Sequence, residues 1–253
     1  MKTPNYFEFP LTQVYRHFLR VEAALFQLKS LNRIQSHQTQ QAALLVLDNL
    51  LNFLTRIDIK SELIKTLENQ IAFYQELSRN PEVDTTKLSS FLDKMKKLHR
   101  WAVQHQGKIG DSLKQHSLLS NLANKQSIQT GVIAADNPEL WQFCHRSIDS
   151  IQHHIAQWIN QLEGLEKSIS VILRLARESG KVTSGEAPMG DFLIEKPPSN
   201  VTLLRIDLLD NQSLFPEVSA GKHRISIHFY SQTEQFNKVK HRESLNFNFS
   251  LCI

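Results

Sequence analysis

Lys222, His223, Arg224, Ile225, Ser226, Ile227, His228 and Phe229 interleave basic and apolar groups at period two. In a β-strand successive side chains alternate faces, so Ile225, Ile227 and Phe229 are expected in a core, with Arg224, Ser226 and His228 together outside. From Val218 to Arg242 the chain carries five Lys or Arg (222, 224, 238, 240 and 242) and three His against one acid, Glu234. Such a surface suits an anion. Arg224, His228 and Tyr230 on one strand face also form a small stacking platform of the kind that holds nucleic-acid bases. The same pattern fits the solvated side of any half-buried antiparallel strand. Residue types alone leave these readings open.

No catalytic or cofactor signature stands beside this stretch. A Gly-rich phosphate loop, a nucleophile elbow and a zinc-protease His-Glu pair are all missing, so neither an enzyme nor a cofactor is expected. His145, His153 and His154 invite a metal reading. The last two are adjacent on a helix and point about 100° apart, with no carboxylate or thiol at matching spacing, so surface histidines are the better assignment. Cys144 and Cys252 are too few and too far apart for a disulfide framework or a thiolate cage and read as ordinary buried or half-buried thiols.

The elements that must position the basic strand follow from periodicity. Its 253 residues, 41% apolar and 21% charged, give enough chain for a real core. The net charge of +4 favours acidic partners but is modest for a dedicated nucleic-acid binder. Lys87 to Lys114 holds seven Lys or Arg against Asp93 and Asp111, which on a helix reads as a solvated face. No run of eighteen apolar residues occurs, and Met1 to Pro10 lacks the signature of a secretory signal, so a cytoplasmic location is expected.

Leu11, Val14, Phe18, Val21, Leu25 and Leu28 are spaced for a helix, as are Leu44, Leu47, Leu51 and Leu54. Further helices are expected from about Ile59 to Leu77, from Thr86 to Val103 behind Asp84 or Thr85 as cap, and from Asp111 to about Lys125. Asn137 followed by Pro138 marks a helix start. Ile151, Ile155, Trp158, Leu162, Leu165, Ile169, Ile172 and Ala176 make one unbroken stripe ended by Gly180, serving either a coiled-coil dimer or, more commonly, a helical bundle.

Glycine and proline crowd residues 180–198, which reads as a linker or long loop over 181–200. Beyond it the period is two: Leu204, Ile206 and Leu208, then Leu245, Phe247, Phe249, Leu251 and Ile253, read as antiparallel strands. Phe7 and Phe9 flank Glu8 in the same way, so the N-terminal strand is expected to join that sheet, with Thr130–Ala134 as a further candidate strand. The expected fold class is therefore α+β. A helical bundle over 10–180 precedes the linker, and a small antiparallel sheet is formed mainly by 201–253 together with 5–9.

Particular residues add a resemblance. They are Phe7 to Leu11 opening onto Phe18, Leu19, Arg20, Val21 and Glu22; Arg56 followed by Lys60, Ser61, Glu62 and Leu63; Leu204 to Leu208; Leu214 to Ser219; and Lys222 to Phe229. In order and spacing, over essentially the whole chain, these resemble the ZapD family of bacterial proteins that bind the tubulin-like division protein FtsZ. The resemblance implies a non-enzymatic, cytoplasmic homodimer with a helical and a β domain. It would bind the acidic C-terminal tail of FtsZ in a basic groove and crosslink filaments at the mid-cell division site, with no nucleic acid, membrane or cofactor involved. Family positions of that groove fall on Arg20, Arg56 and Arg224, with Lys222 beside the last. Read in isolation, Arg20 and Arg56 are helix-surface cations pairing with Glu22 or Asp58. The strand position where relatives carry arginine is His228 here, and a further basic position, after Ile109 and Gly110, falls on His116. Histidine in place of arginine implies tighter tail binding below neutral pH, since the imidazole ordinarily titrates near ~6.5. The alternative function is nucleic-acid binding by the basic strand face.

Overall fold

A computed structural model of the chain describes residues 6–78, 85–123, 132–209 and 213–253. Its contacts divide into two compact units, residues 1–19 with 173–253 and residues 20–172, and the dividing lines fall inside two helices. The fold is α+β, as the periodicities imply, with helices in the N-terminal region and antiparallel strands in the C-terminal part.

Unit 20–172 is helical. Helix α1 (Gln13–Asn32) enters it, followed by α2 (His37–Arg56), α3 (Ile59–Leu77), α4 (Thr85–Gln104), α5 (Asp111–Lys114), α6 (Ser117–Ala123), α7 (Pro138–Cys144), α8 (Ile148–Gln161) and α9 (Glu163–Ser179). Helix α2 is the hub. It buries Leu44, Leu47, Leu51 and Leu54 as the spacing predicts, packs against α5, α6, α7 and α8, and leaves α3 and α4 to pair with each other. Asn137 caps α7 as expected, its Oδ1 accepting the Leu140 N–H at 3.0 Å with Pro138 in the first turn.

Two expected helices are interrupted. The segment from Asp111 breaks at Gln115 and His116 into α5 and α6, and residues 124 and 125 lie outside the described residues. Leu113 and Leu118 are five apart, which on one continuous helix would put them about 140° apart. The break lets Leu113, Leu118, Leu119 and Leu122 all turn inward.

The stripe from Ile151 to Ala176 is likewise not one helix. Its eight residues are all buried, but the chain breaks at Leu162, whose N–H bonds back to the Ile159 carbonyl at 2.9 Å. A packing constraint lies two residues on. The Trp101 indole of α4 lies so close over Gly164 that any Cβ there would collide with its ring, which fixes a glycine, a weak helix former, in the first turn of α9. The heptad phase survives the break, and for that reason the sequence does not betray it.

Unit 1–19 with 173–253 carries the strands β1 (Tyr6–Pro10), β2 (Thr183–Ala187), β3 (Asp191–Glu195), β4 (Leu203–Asp207), β5 (Leu214–Ala220), β6 (Arg224–Gln232), β7 (Lys238–Lys240) and β8 (Leu245–Cys252). They form two antiparallel sheets rather than one, in the orders β1-β4-β8-β2 and β3-β6-β5, with β7 also on β6. Ala187, Leu204, Ile206 and Phe247 from the first sheet meet Leu214, Ile225, Ile227 and Phe229 from the second in one core. The ring centroids of Phe229 and Phe247 are 4.8 Å apart.

The expected linker over 181–200 is corrected by this arrangement: β2 joins one sheet and β3 the other. The glycine and proline that suggest a loop make the corner between them, a short turn at Pro188–Gly190. Gly190 there has φ +73°, and a Cβ would strike the His241 carbonyl. Val132–Ala134 is loop and turn, while Thr130 and Gly131 fall outside the described residues.

Strand β1 joins the first sheet as expected, and a carboxylate secures it. Glu8 accepts two hydrogen bonds from Arg177 of α9, at 2.8 and 2.7 Å. Arg205, its register partner on β4, brings Nε to 3.0 Å, off the hydrogen-bond axis. All three side chains are at least about three-quarters shielded from solvent. Replacing Glu8 by Gln keeps the shape but leaves two guanidinium groups facing each other without an anion, at a cost of about 2 kcal/mol. Urea unfolding with hydrogen exchange read on β1 and β4 checks this. Unaltered protection of those strands in Glu8→Gln would show that the carboxylate does not hold β1.

Candidate functional site

The outer face of β6 is where the sequence places its cationic row. The alternation holds: Ile225, Ile227 and Phe229 are buried, Arg224 is exposed, and Ser226 and His228 are half-buried on the other side. The neighbouring strands, however, supply acids in register. Glu195 of β3 stands opposite Arg224, and His228 is flanked by Asp191 on β3 and Glu217 on β5. His228 Nδ1 lies 2.7 Å from Asp191 Oδ1, and Lys240 donates to the other carboxylate oxygen at 2.6 Å. Hydrogen bonds from Lys240 first and His228 second hold the Asp191 carboxyl below the usual carboxylate range. Lys238 pairs with Glu217 at 2.6 Å and lies over the Tyr230 ring, 3.9 Å from its centroid. The face is thus a ladder of alternating sign rather than a cationic row.

Cations outnumber acids instead at the start of β6. Gly221 N–H bonds to the Arg224 carbonyl at 2.9 Å, closing the turn that carries Lys222 and His223, and Lys196 N–H bonds to the His223 carbonyl at 2.9 Å. Lys196, Lys222, His223 and Arg224 therefore share one end of the sheet. Sequence reading names Lys222 and Arg224 but passes over Lys196, which only the β3–β6 pairing brings there.

Arg20, Arg56 and His116 belong to the helical unit and are exposed. The Arg20 guanidinium sits 5.9 Å from the centroid of the Phe53 ring, at a cleft of about 180 Å³ bordered also by Ala24, Val46 and Leu50. Phe53 is three residues before Arg56, so the two arginines border neighbouring positions on α2. Arg56 is the last residue of α2, where the helix dipole and unpaired carbonyls favour a cation. Two lysines reinforce that end: Lys108 donates to the Thr55 carbonyl at 2.9 Å, and Lys114 reaches Asn52 Oδ1 at 3.2 Å and Thr55 Oγ1 at 3.3 Å.

Asp58, offered by the sequence as a partner for Arg56, instead caps α3. Its carboxyl is held below the usual range, chiefly by the Ser61 hydroxyl and N–H. The Asp48 carboxyl on α2 is pushed up by burial, against the pull of Lys114. His116 lies edge-on to the Trp158 ring, centroids 5.5 Å apart. Lys108 and Lys114 come from the run read as a solvated face, and only the packing of α5 on α2 shows their role.

The arrangement can bind anions. Among the described residues no group of three or more His, Cys, Asp or Glu is placed to hold a metal ion, and no helix is long and apolar enough to cross a membrane.

Comparison with known proteins agrees with the residue pattern. The profile of the ZapD family, described as a cell division protein, matches residues 19–228, a span that contains all six candidate residues. This chain belongs to the ZapD family. A cell division protein ZapD of Photorhabdus laumondii is 31% identical over 223 residues, 88% of each chain. Those of Azoarcus sp. and Methylococcus capsulatus are 25% and 26% identical, the first over 97% of this chain and 98% of its own, the second over the full length of both. Membership assigns the chain a role in cell division.

Both cysteines of this ZapD-family chain are buried, as their sequence setting suggests. Burial pushes the Cys144 thiol up to about 11 and raises that of Cys252. Neither thiol should react with Ellman's reagent at pH 8 in the folded protein, and both should react in denaturant. Rapid labelling of the native chain would show that one of these packing environments opens.

Proposed function

We propose that this chain binds the acidic C-terminal tail of FtsZ through Arg20, Arg56, His116, Lys222, Arg224 and His228 and, as a homodimer, crosslinks FtsZ filaments in the cytoplasm at mid-cell. The role is non-enzymatic. Membership of a cell division family supports the reading, and so does the exposure of Arg224 at the head of β6, where Lys196 and Lys222 join it. Arginine's planar fork grips a carboxylate by two hydrogen bonds, which suits an acidic peptide better than a lysine-only patch would. A single short tail binds weakly, but a dimer facing a polymer gains on the order of 10²- to 10⁴-fold in avidity. The alternating-sign face of β6 argues against nucleic acid as the ligand, because a phosphate backbone needs a continuous positive track.

Within this reading the six residues do not contribute alike. Arg224 offers an exposed fork, whereas the imidazole of His228 is already engaged by Asp191 and contributes through the ladder that holds the strand face. The charge reversal Arg224→Glu is expected to abolish co-sedimentation with FtsZ polymers while the oligomeric state by light scattering stays unchanged. Normal pelleting of this variant would remove the head of β6 from the contact. Added salt should loosen the parent complex as surface charges become screened.

A further inference from the structure

A site that held an acidic tail by charge alone would need no cavity, yet Arg20 borders one. The cleft of about 180 Å³ is lined from α1 by Arg20 and Ala24 and from α2 by Val46, Leu50 and Phe53. On each helix these residues recur at spacings of three and four, so two helix faces make the walls. Leu50 is buried, whereas Ala24, Val46 and Phe53 are half-buried and leave apolar surface to the cleft. Pockets for whole small molecules start at about 300 Å³, so a cleft of this size takes a single side chain. Ala24 is part of the reason the space exists, since a longer side chain there would fill it.

Charge says what accompanies that side chain. The Arg20 guanidinium lies 5.9 Å from the Phe53 ring centroid, and Arg56 follows Phe53 by about 4.5 Å along the axis of α2. Both arginines are exposed, and among the described residues no ion pair engages either. A guanidinium over an aromatic ring keeps its N–H edge for a carboxylate. The exposed amides of Gln27 and Asn49, which complete the lining, can hydrogen-bond a peptide backbone. An extended acidic peptide with an apolar residue next to its acid fits this combination. A nucleic-acid backbone offers the charge without the apolar group.

We propose that the cleft between α1 and α2 is the specificity pocket of the tail site. One apolar side chain of the FtsZ tail enters between Ala24, Val46, Leu50 and Phe53, and a carboxylate one or two residues from it is gripped by Arg20 and Arg56. This step rests on the tail-binding function proposed above. It adds what charge alone lacks, a way to choose one acidic segment among many.

Fluorescein-labelled FtsZ tail peptides test it, one natural and a set in which each apolar residue in turn is serine, titrated against the parent chain and Ala24→Leu. Leucine keeps the helix propensity of position 24 while filling the cleft. One serine peptide should bind the parent chain about tenfold more weakly, as expected for losing the burial of one aliphatic side chain. Ala24→Leu should bind the natural peptide about tenfold more weakly, and that serine peptide no worse than the natural one, because the pocket is closed to both. Its melting temperature should equal or exceed the parent's; if it falls, Val46→Ala takes its place in the cycle under the same criteria. Full affinity of Ala24→Leu for the natural peptide overturns the pocket. So does a parent chain indifferent to every serine peptide, and so does an equal cost of the serine change in both chains, which would seat that residue elsewhere. Dissociation of the Ala24→Leu dimer in light scattering with tail affinity intact overturns it in favour of a second copy of this chain. Each of these results leaves the ionic tail contact standing. Failure of the parent chain to bind any of the peptides overturns the pocket and the proposed function together.

Discussion

Glu8 receives a forked pair of hydrogen bonds from Arg177 and a second guanidinium from Arg205, and on this cluster depends where the N-terminal strand lies. A half-buried ion cluster adds little net stability, because the Coulomb gain is largely offset by desolvation. Its value is positional. Glu8 and Arg205 are register partners between β1 and β4, so the carboxylate has only one place along β4 where both arginines reach it. A slip of one residue would turn Phe7 and Phe9 away from the core and bring Glu8 into it. Tyr6 adds to the clamp by lying beneath the Arg205 guanidinium, 4.6 Å from ring centroid to Cζ. The same cluster ties α9 to the sheet.

Once the strands are fixed in register, the electrostatics of the outer face follow. Cross-strand neighbours on an antiparallel sheet stand about 5 Å apart, so like charges directly opposite are costly and opposite charges are tolerated. Along β6 the neighbours are Glu195, Asp191 and Glu217, and positive charge is cancelled wherever β6 has a partner on each side. Cations remain available where pairing ends, at the turn of Lys222 and His223. At the end of α2 the logic is similar: Arg56, Lys108 and Lys114 collect where helix carbonyls run out of partners. In both units, cations gather where a regular element terminates.

Much of the fold was legible because large apolar residues carry the period. The spans of α3 and α4, the cap at Asn137 and the inward set of β6 were read correctly from spacing and cap chemistry alone. Strand β2 was not legible, because its inward positions are Gly185 and Ala187. The space over Gly185 is filled from the next strand by Phe247, so the hydrophobic signal of β2 is written in β8. Strand β3 does alternate, through Phe192 and Ile194, but the corner residues before it look like loop. Of the candidate site, the cations could be named in advance, but their compensation by Asp191, Glu195 and Glu217 could not. Those acids lie up to 49 residues away along the chain, and only strand register sets them opposite.

Strand β8 occupies an inner position of its sheet, between β4 and β2, and Phe247 at its centre touches the rings of Phe192 and Phe229. Of the described elements it is also the last to leave the ribosome. The helical unit is a continuous run from residue 20 to 172 and can assemble during synthesis, whereas β1, made first, must wait for β4 and then β8 before its sheet exists. For that interval β2 and β4 have open edges, and Phe229 lacks a neighbour. Completion of the β unit is therefore tied to the synthesis of β8, which makes this fold far more sensitive to termination before Cys252 than to changes in the loops between its helices.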